Sequence, residues 1–221
     1  RQIAGGTDAI IVCGTTGENP TMSKEDKLAL FTAIAKECGH KGTIIANVGT
    51  NDTKSSVNFV KEVSKIDGID GLLVVVPYYN KPNQQGQYLH FKAIAEATTL
   101  PIMVYNVPSR VGTGIFPTTL AQLHSEYPHV CAIKEASGNL MISSEIKRLM
   151  PEDDFMVYSG DDGLTLPILS VGGTGVISVV SHVAGQDMND MIAAFEEGNN
   201  QKATQLHQKL AEIIKAMFIT T

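Results

Sequence analysis

The chain has little with which to hold a polyanion, a metal or a membrane. Its 23 acidic residues outnumber 17 lysines and arginines, for a net charge of −6, and no basic tail or Lys/Arg run breaks that balance. Nucleic acid is therefore excluded as the main partner, although one or two local cations suffice to capture a small anion. There are only three cysteines, Cys13, Cys38 and Cys131, widely spaced and without a C-x-x-C pair. Cys13 and Cys131 lie in apolar runs, where a thiol behaves as a small hydrophobe. This usage fits a reducing compartment, and a cytoplasmic location is expected. No apolar run approaches the roughly 18 residues of a membrane span, and no signal-peptide pattern is present. The six histidines show no metal-ligand spacing with one another or with cysteine, and no serine sits in a nucleophile elbow. Neither a metal nor another cofactor is expected, and a serine hydrolase has no support. Also missing are a G-x-G-x-x-G turn, a Walker pattern, long linkers and low-complexity segments.

What remains is a 221-residue chain, 43% hydrophobic and 18% charged, with enough apolar content for a sizeable core. Short runs rich in Val and Ile recur at Ala9–Cys13, Thr43–Val48, Gly71–Pro77, Pro101–Val107, Val130–Ala136, Asp154–Ser159 and Gly175–Val180. They are apolar on both alternating faces, as buried parallel strands are. Amphipathic segments separate them. Ser23 caps one carrying Leu28, Phe31, Ile34, Ala35 and Cys38. Asp52 or Thr53 starts a second, and Tyr88, Phe91 and Ile94 mark a third. Pro117 opens a fourth, residues 141–149 form a fifth, and Gln186–Glu197 ends at Gly198. A last helix starts near Asn200 and uses Leu206, Leu210, Ile213 and Met217.

Strand alternating with helix predicts a parallel sheet. An open doubly wound sheet normally carries a glycine-rich phosphate turn after its first strand, and none is found. Gly172-Gly173-Thr174-Gly175 precedes a strand instead. The opening residues Arg1–Gly6 read as the last turn of a helix, and the chain stops at Phe218–Thr221 without a closing signal. The expectation is a (β/α)8 TIM barrel, α/β in class, whose first strand and most of whose C-terminal helices are missing. Residues 1–198 would supply barrel strands two to eight, and 199–221 the start of a C-terminal helical region.

In such a barrel chemistry sits where strands end. Lys134 interrupts the apolar run Val130–Ala136, on one face with the small residues Ala132 and Ala136. Burial lowers a lysine's pKa, and the neutral amine is the form that attacks a carbonyl carbon. A lysine snorkelling to the surface or paired with an acid would look the same. Tyr105 ends another strand and could pass protons, or simply pack. Arg110 follows it with a fork suited to a carboxylate, or as a solvated loop residue. Gly14-Thr15-Thr16-Gly17-Glu18 offers hydroxyls and backbone N–H groups to a small carboxylate, or is a plain connection. Tyr78-Tyr79 suits a subunit interface, a pocket wall or core packing. Asp161-Asp162 could be acid–base carboxylates, but a helix start after Gly160 accounts for them better.

Taken together and in order, Gly14–Glu18, Pro77–Pro82, Tyr105–Arg110, Ile133–Asn139, Ser159–Asp162 and Gly175–Ser178 resemble the pyruvate-dependent class I aldolases, the N-acetylneuraminate lyase family. The resemblance covers essentially the whole chain. It implies that Lys134 forms a Schiff base with pyruvate and that Tyr105 donates and accepts protons. It implies that Thr15 links Tyr105 to Tyr79 of a neighbouring subunit and that Thr16 and the Ile177 backbone hold pyruvate. Arg110 would bind the carboxylate of the second substrate. Thr15-Thr16 and Arg110 match the branch that joins pyruvate to L-aspartate 4-semialdehyde, and sugar-acid aldolases or an inactive barrel are the alternatives. The resemblance further implies a homo-oligomer, dimer or tetramer. In lysine-inhibited relatives, histidines and an acid line the dimer-interface effector site. Lys24, Lys27 and Ser55 stand at those positions here, while Asn51 and Tyr78 are kept. Weak or absent lysine inhibition is expected.

Overall fold

Strand β1 (Ala9–Val12) begins a parallel sheet that continues in strict chain order through β2 (Thr43–Asn47), β3 (Gly71–Val75), β4 (Ile102–Asn106), β5 (Val130–Glu135), β6 (Met156–Ser159) and β7 (Gly175–Val176). The computed structural model describes residues 1–151 and 155–219. The expected strand start at Asp154 and the final Thr220-Thr221 lie outside the described residues.

Each strand is followed by at least one helix. These are α1 (Lys24–Cys38), α2 (Thr53–Val63), α3 (Gln84–Ala95), the short α4 (Pro108–Val111), α5 (Pro117–Glu126), α6 (Leu140–Leu149), α7 (Thr165–Ser170) and α8 (Ser181–Glu196), with α9 (Asn200–Met217) last. Caps set their starts. Ser23 Oγ accepts from Asp26 N at 3.1 Å and Asp52 Oδ1 from Ser55 N at 2.6 Å, satisfying donors that the first turn leaves unpaired. Asn83 does the same for Gly86 N at 2.9 Å, so α3 starts four residues before Tyr88.

The core lies between the strands and the helices. Val and Ile fill it because branched side chains suit a strand buried on both faces. Ile44, Leu72, Val74, Val104, Ile133 and Val157 are fully enclosed, each worth roughly 1.5–3 kcal/mol of apolar burial. Phe31 of α1 and Phe59 of α2 meet with ring centres 6.1 Å apart. A second cluster, Val180, Met188, Met191 and Leu210, joins α8 to α9.

The expected barrel architecture is present as a seven-stranded curl with helices on its outside. Asn189 Nδ2 of α8 donates to Gly5 O at 2.7 Å, tying the helix after β7 to the turn before β1. Two expected boundaries shift. The seventh strand, expected over Gly175–Val180, ends at Val176. Helix α8 starts at Ser181 rather than Gln186, but Ala184 (φ −130°, ψ 38°) breaks it, and the regular part begins close to the expected start. Among the described residues, no helix is long and apolar enough to cross a membrane.

Candidate active site

Ladder hydrogen bonds extend past the strand ends and align the first residues of the loops. Ala136 N donates to Asn106 O at 2.8 Å, Gly160 N to Glu135 O at 2.7 Å and Ile177 N to Ser159 O at 2.8 Å. The ends of β4 to β7 therefore stand at one level, and their side chains converge on the inside of the curl.

Tyr105 and Lys134 are register partners there, with Tyr158 of β6 beside Lys134. The Lys134 Nζ sits 4.5 Å from the centre of the Tyr105 ring. The lysine is half-buried, and its amine is surrounded by protein. Gly160 makes the room: a Cβ at that position would stand 3.2 Å from both Cγ and Cε of Lys134 and 2.7 Å from Ala136 Cβ.

Burial lowers the Lys134 pKa to about 8; the negative charge of Asp162 pulls it up and Arg110 pushes it further down. The ring face of Tyr105 also favours the ammonium, but desolvation outweighs both attractions. At pH 7 an ordinary lysine is neutral in about one molecule in a few thousand, and a pKa near 8 raises that to about one in ten. Tyr105 is buried, which raises its pKa, while the nearby Thr15 hydroxyl and the charge of Arg110 draw it partly back.

Thr15 reaches Tyr105 because the chain turns sharply after β1. Cys13 takes a left-handed conformation (φ 57°) and Thr15–Gly17 form a single 3-10 turn. The Cys13 carbonyl at the start of this turn accepts Asn47 Nδ2 at 2.7 Å. Thr15 is half-buried at the inner side, whereas Thr16 is exposed at the rim of the same turn.

Arg110 lies on α4, which Pro108 opens and Gly112 (φ 80°) closes. It is exposed and makes no ion pair among the described residues. Behind it, Asn106 Nδ2 donates to the buried Glu135 carboxylate at 2.7 Å, and Asn106 Oδ1 accepts Ile115 N at 3.2 Å. Ser137 N completes the Glu135 carboxylate at 2.6 Å. This clamp faces away from Lys134 and fixes the β4 and β5 ends relative to each other.

The fold thus brings Lys134, Tyr105, Thr15 and Arg110 together, with Ile177 half-buried at the end of β7. It does not bring Tyr79 to them within one chain. Tyr79 is 89% exposed, in a left-handed conformation (φ 72°). Three further contributors have roles that the sequence does not reveal. Gly160 gives the lysine space, Asn47 anchors the threonine turn, and Asp162, 1% exposed, acts on Lys134 as an opposing charge. The pair Asp161-Asp162 divides: Asp161 Oδ1 accepts Gly163 N at 2.8 Å as a turn cap, as expected, while Asp162 points inward. Among the described residues no group of three or more His, Cys, Asp or Glu could hold a metal. A deep, partly neutral lysine amine beside a phenol and a cation is equipped to condense with the carbonyl of a small keto acid.

Comparison with known proteins points the same way. The sequence profile of the dihydrodipicolinate synthetase family matches residues 1–221. The 4-hydroxy-tetrahydrodipicolinate synthase of Desulforamulus reducens is 48% identical over 219 residues, 99% of this chain and 73% of the relative. That of Bacillus subtilis is 51% identical over 213 residues, 96% of this chain and 73% of the relative. Dihydrodipicolinate synthase DapA-2 of Bacillus anthracis superposes with a TM-score of 0.95 at 46% identity, over all of this chain and 74% of its own. The enzyme of Cyanidioschyzon merolae with lysine bound superposes at 0.96 with 43% identity, over all of this chain and 74% of its own.

Proposed function

The chain belongs to the dihydrodipicolinate synthetase family, and on that premise we propose that it carries 4-hydroxy-tetrahydrodipicolinate synthase activity, a lyase step on the route to diaminopimelate and lysine. Its substrates are pyruvate and L-aspartate 4-semialdehyde.

The observation that carries this reading is the Lys134 amine held 4.5 Å from the Tyr105 ring centre with its pKa lowered to about 8. The neutral amine attacks the ketone carbon of pyruvate, water leaves, and the iminium becomes an electron sink. The methyl group then loses a proton, and the enamine carbon attacks the aldehyde of the second substrate. The substrate's own amine closes the ring and displaces Lys134. Every step moves a proton, which calls for a relay. Tyr105 and Thr15 form its inner part, and Tyr79 of the partner subunit completes it in a homo-oligomer, dimer or tetramer. The exposure of Tyr79 supports that role. Thr16 holds the pyruvate carboxylate, and the Ile177 backbone lines the pyruvate site. Arg110, free of any ion pair among the described residues, takes the carboxylate of the semialdehyde. The enzyme needs no cofactor and acts in the cytoplasm, in keeping with its three free thiols.

Steady-state assays with pyruvate and one aldehyde at a time test the substrate assignment. L-Aspartate 4-semialdehyde is expected to give a kcat/KM at least about 100-fold above neutral sugar-derived aldehydes, because an aldehyde without a carboxylate leaves Arg110 unpaired. A preference for the sugar aldehydes would assign the chain to sugar-acid aldol chemistry.

A further inference from the structure

Asp161 and Asp162 are adjacent, yet their carboxylates do different work. Asp161 closes its own turn on Gly163 N, and its carbonyl accepts Ser159 Oγ at 2.6 Å. Asp162 is 1% exposed and reaches across to the segment after β7. It accepts Ser178 Oγ on one oxygen, and Val179 N at 3.0 Å and Val180 N at 3.4 Å on the other. Ser178 Oγ in turn accepts Ser181 N at 2.8 Å, and Thr165 Oγ1 donates to the Asp162 carbonyl at 2.8 Å. All three donors to the carboxylate are neutral, and they follow Ile177 directly. No lysine or arginine among the described residues forms an ion pair with it.

None of these donors carries a charge to set against that of a carboxylate, so that task falls to a cation near it. That cation is Lys134, on which Asp162 acts as the opposing charge. The other groups facing Lys134 are Tyr105 from β4, Arg110 from α4 and Tyr158 from β6, whose hydroxyl is turned to Met156 Sδ at 3.4 Å. Glu135, next in the same strand, faces away to Asn106. Asp162 is therefore the one acid on the lysine's side of the sheet among these.

We propose that Asp162 is a positioning residue for the reaction: its carboxylate holds the turn after Ile177 against the site and supplies the fixed counter-charge to the Lys134 amine. The first task explains why β7 is so short. Backbone N–H groups that would continue the ladder at Val179 and Val180 are taken by Asp162, and the chain leaves the sheet there.

The inference rests on Lys134 being the reacting amine, and the test separates the two. Pyruvate adduct trapped by borohydride is measured against pH for the full chain, for Asp162→Asn and for Ser178→Ala. Asparagine can still accept from Val179 and Val180 on Oδ1, with the Ser178 bond reversed so that Nδ2 donates to Ser178 Oγ, while the charge is removed. The acid limb of the trapping rate in Asp162→Asn is expected to move to lower pH by about one unit. In Ser178→Ala the charge stays, so the limb stays, while KM for pyruvate rises about five- to tenfold as the turn loosens. An Asp162→Asn limb that does not move, with trapping reduced equally at every pH, overturns the counter-charge role. A Ser178→Ala KM within about twofold of the parent overturns the turn-holding role, and this arm stands even where Asp162→Asn fails to fold. No adduct on Lys134 in the parent protein would instead overturn the Schiff-base reading itself.

Discussion

Lys134 and Tyr105 occupy the same level of neighbouring parallel strands, and the lysine nitrogen stands 4.5 Å from the centre of the phenol ring. Parallel pairing sets this contact, because register partners on one pleat face project side by side. A one-residue slip between β4 and β5 would send one of the two to the helix side. The shift in register between Ile102 and Met103 lies at the other end of the pair, and from Met103 onward the pairing is regular.

The lowered pKa of Lys134 gives a signed pH dependence. Below about 8 the amine is mostly protonated, and above it mostly free. The rate of adduct formation with pyruvate is expected to rise with pH and level off above about 8. An unperturbed lysine would keep accelerating toward about 10.4. Stopped-time trapping across this range distinguishes the two curves.

Gly160→Ala should cripple the reaction while leaving the fold. The added methyl would stand 3.2 Å from two carbons of Lys134 and 2.7 Å from Ala136 Cβ, so the lysine stem must move. Displacement of the reacting atom by a fraction of an ångström to an ångström is expected to cost about 100-fold in kcat/KM. Steady-state kinetics with a thermal melt as control checks this, and activity within about twofold of the parent would contradict it.

His90 governs part of the acid stability. It is 3% exposed, its Nδ1 meets Thr53 Oγ1 at 2.8 Å, and burial lowers its pKa to about 4. Between about 6.5 and 4 the unfolded chain takes up a proton that the folded one refuses. Stability therefore falls as pH drops through that window, by up to about 3 kcal/mol. Urea unfolding at a series of pH values should show His90→Gln losing less stability than the parent over this range.

L-Lysine is expected to inhibit weakly or not at all. Lys24 pairs with Glu62 at 2.6 Å, and Lys27 lies partly buried near Cys13. Cations at these positions oppose a cationic effector by like-charge repulsion. An initial-rate titration checks this, and strong inhibition at sub-millimolar lysine would contradict it.

Much of the fold is legible in the sequence because β-branched runs buried on both faces leave a strong mark, as Thr43–Asn47 and Gly71–Val75 do. Lys134 stands out for the opposite reason, as a charge inside such a run. The seventh strand looks longer in the sequence than it is because Val176–Val180 is nearly all apolar. Only the folded position of Asp162, 17 residues before Val179, takes the backbone donors away from the ladder. Asp162 is hard to tell from Asp161, since adjacent acids after a glycine look alike until one is buried. Asn47 and Gly160 carry no signal of their own: an asparagine at a strand end and a glycine before a turn are ordinary, and their value depends on Cys13 and Lys134 arriving beside them. Tyr79 stands 89% exposed, and the role proposed for it needs a second copy of the chain, which no local pattern specifies.

Everything proposed for this site turns on Lys134 being the amine that captures pyruvate. Incubating the protein with pyruvate and borohydride, digesting it and mapping the reduced adduct by mass spectrometry tests this directly. One modified site is expected, at Lys134, with the modification abolished in Lys134→Ala. An adduct on another lysine, or none on the full-length protein, would contradict it.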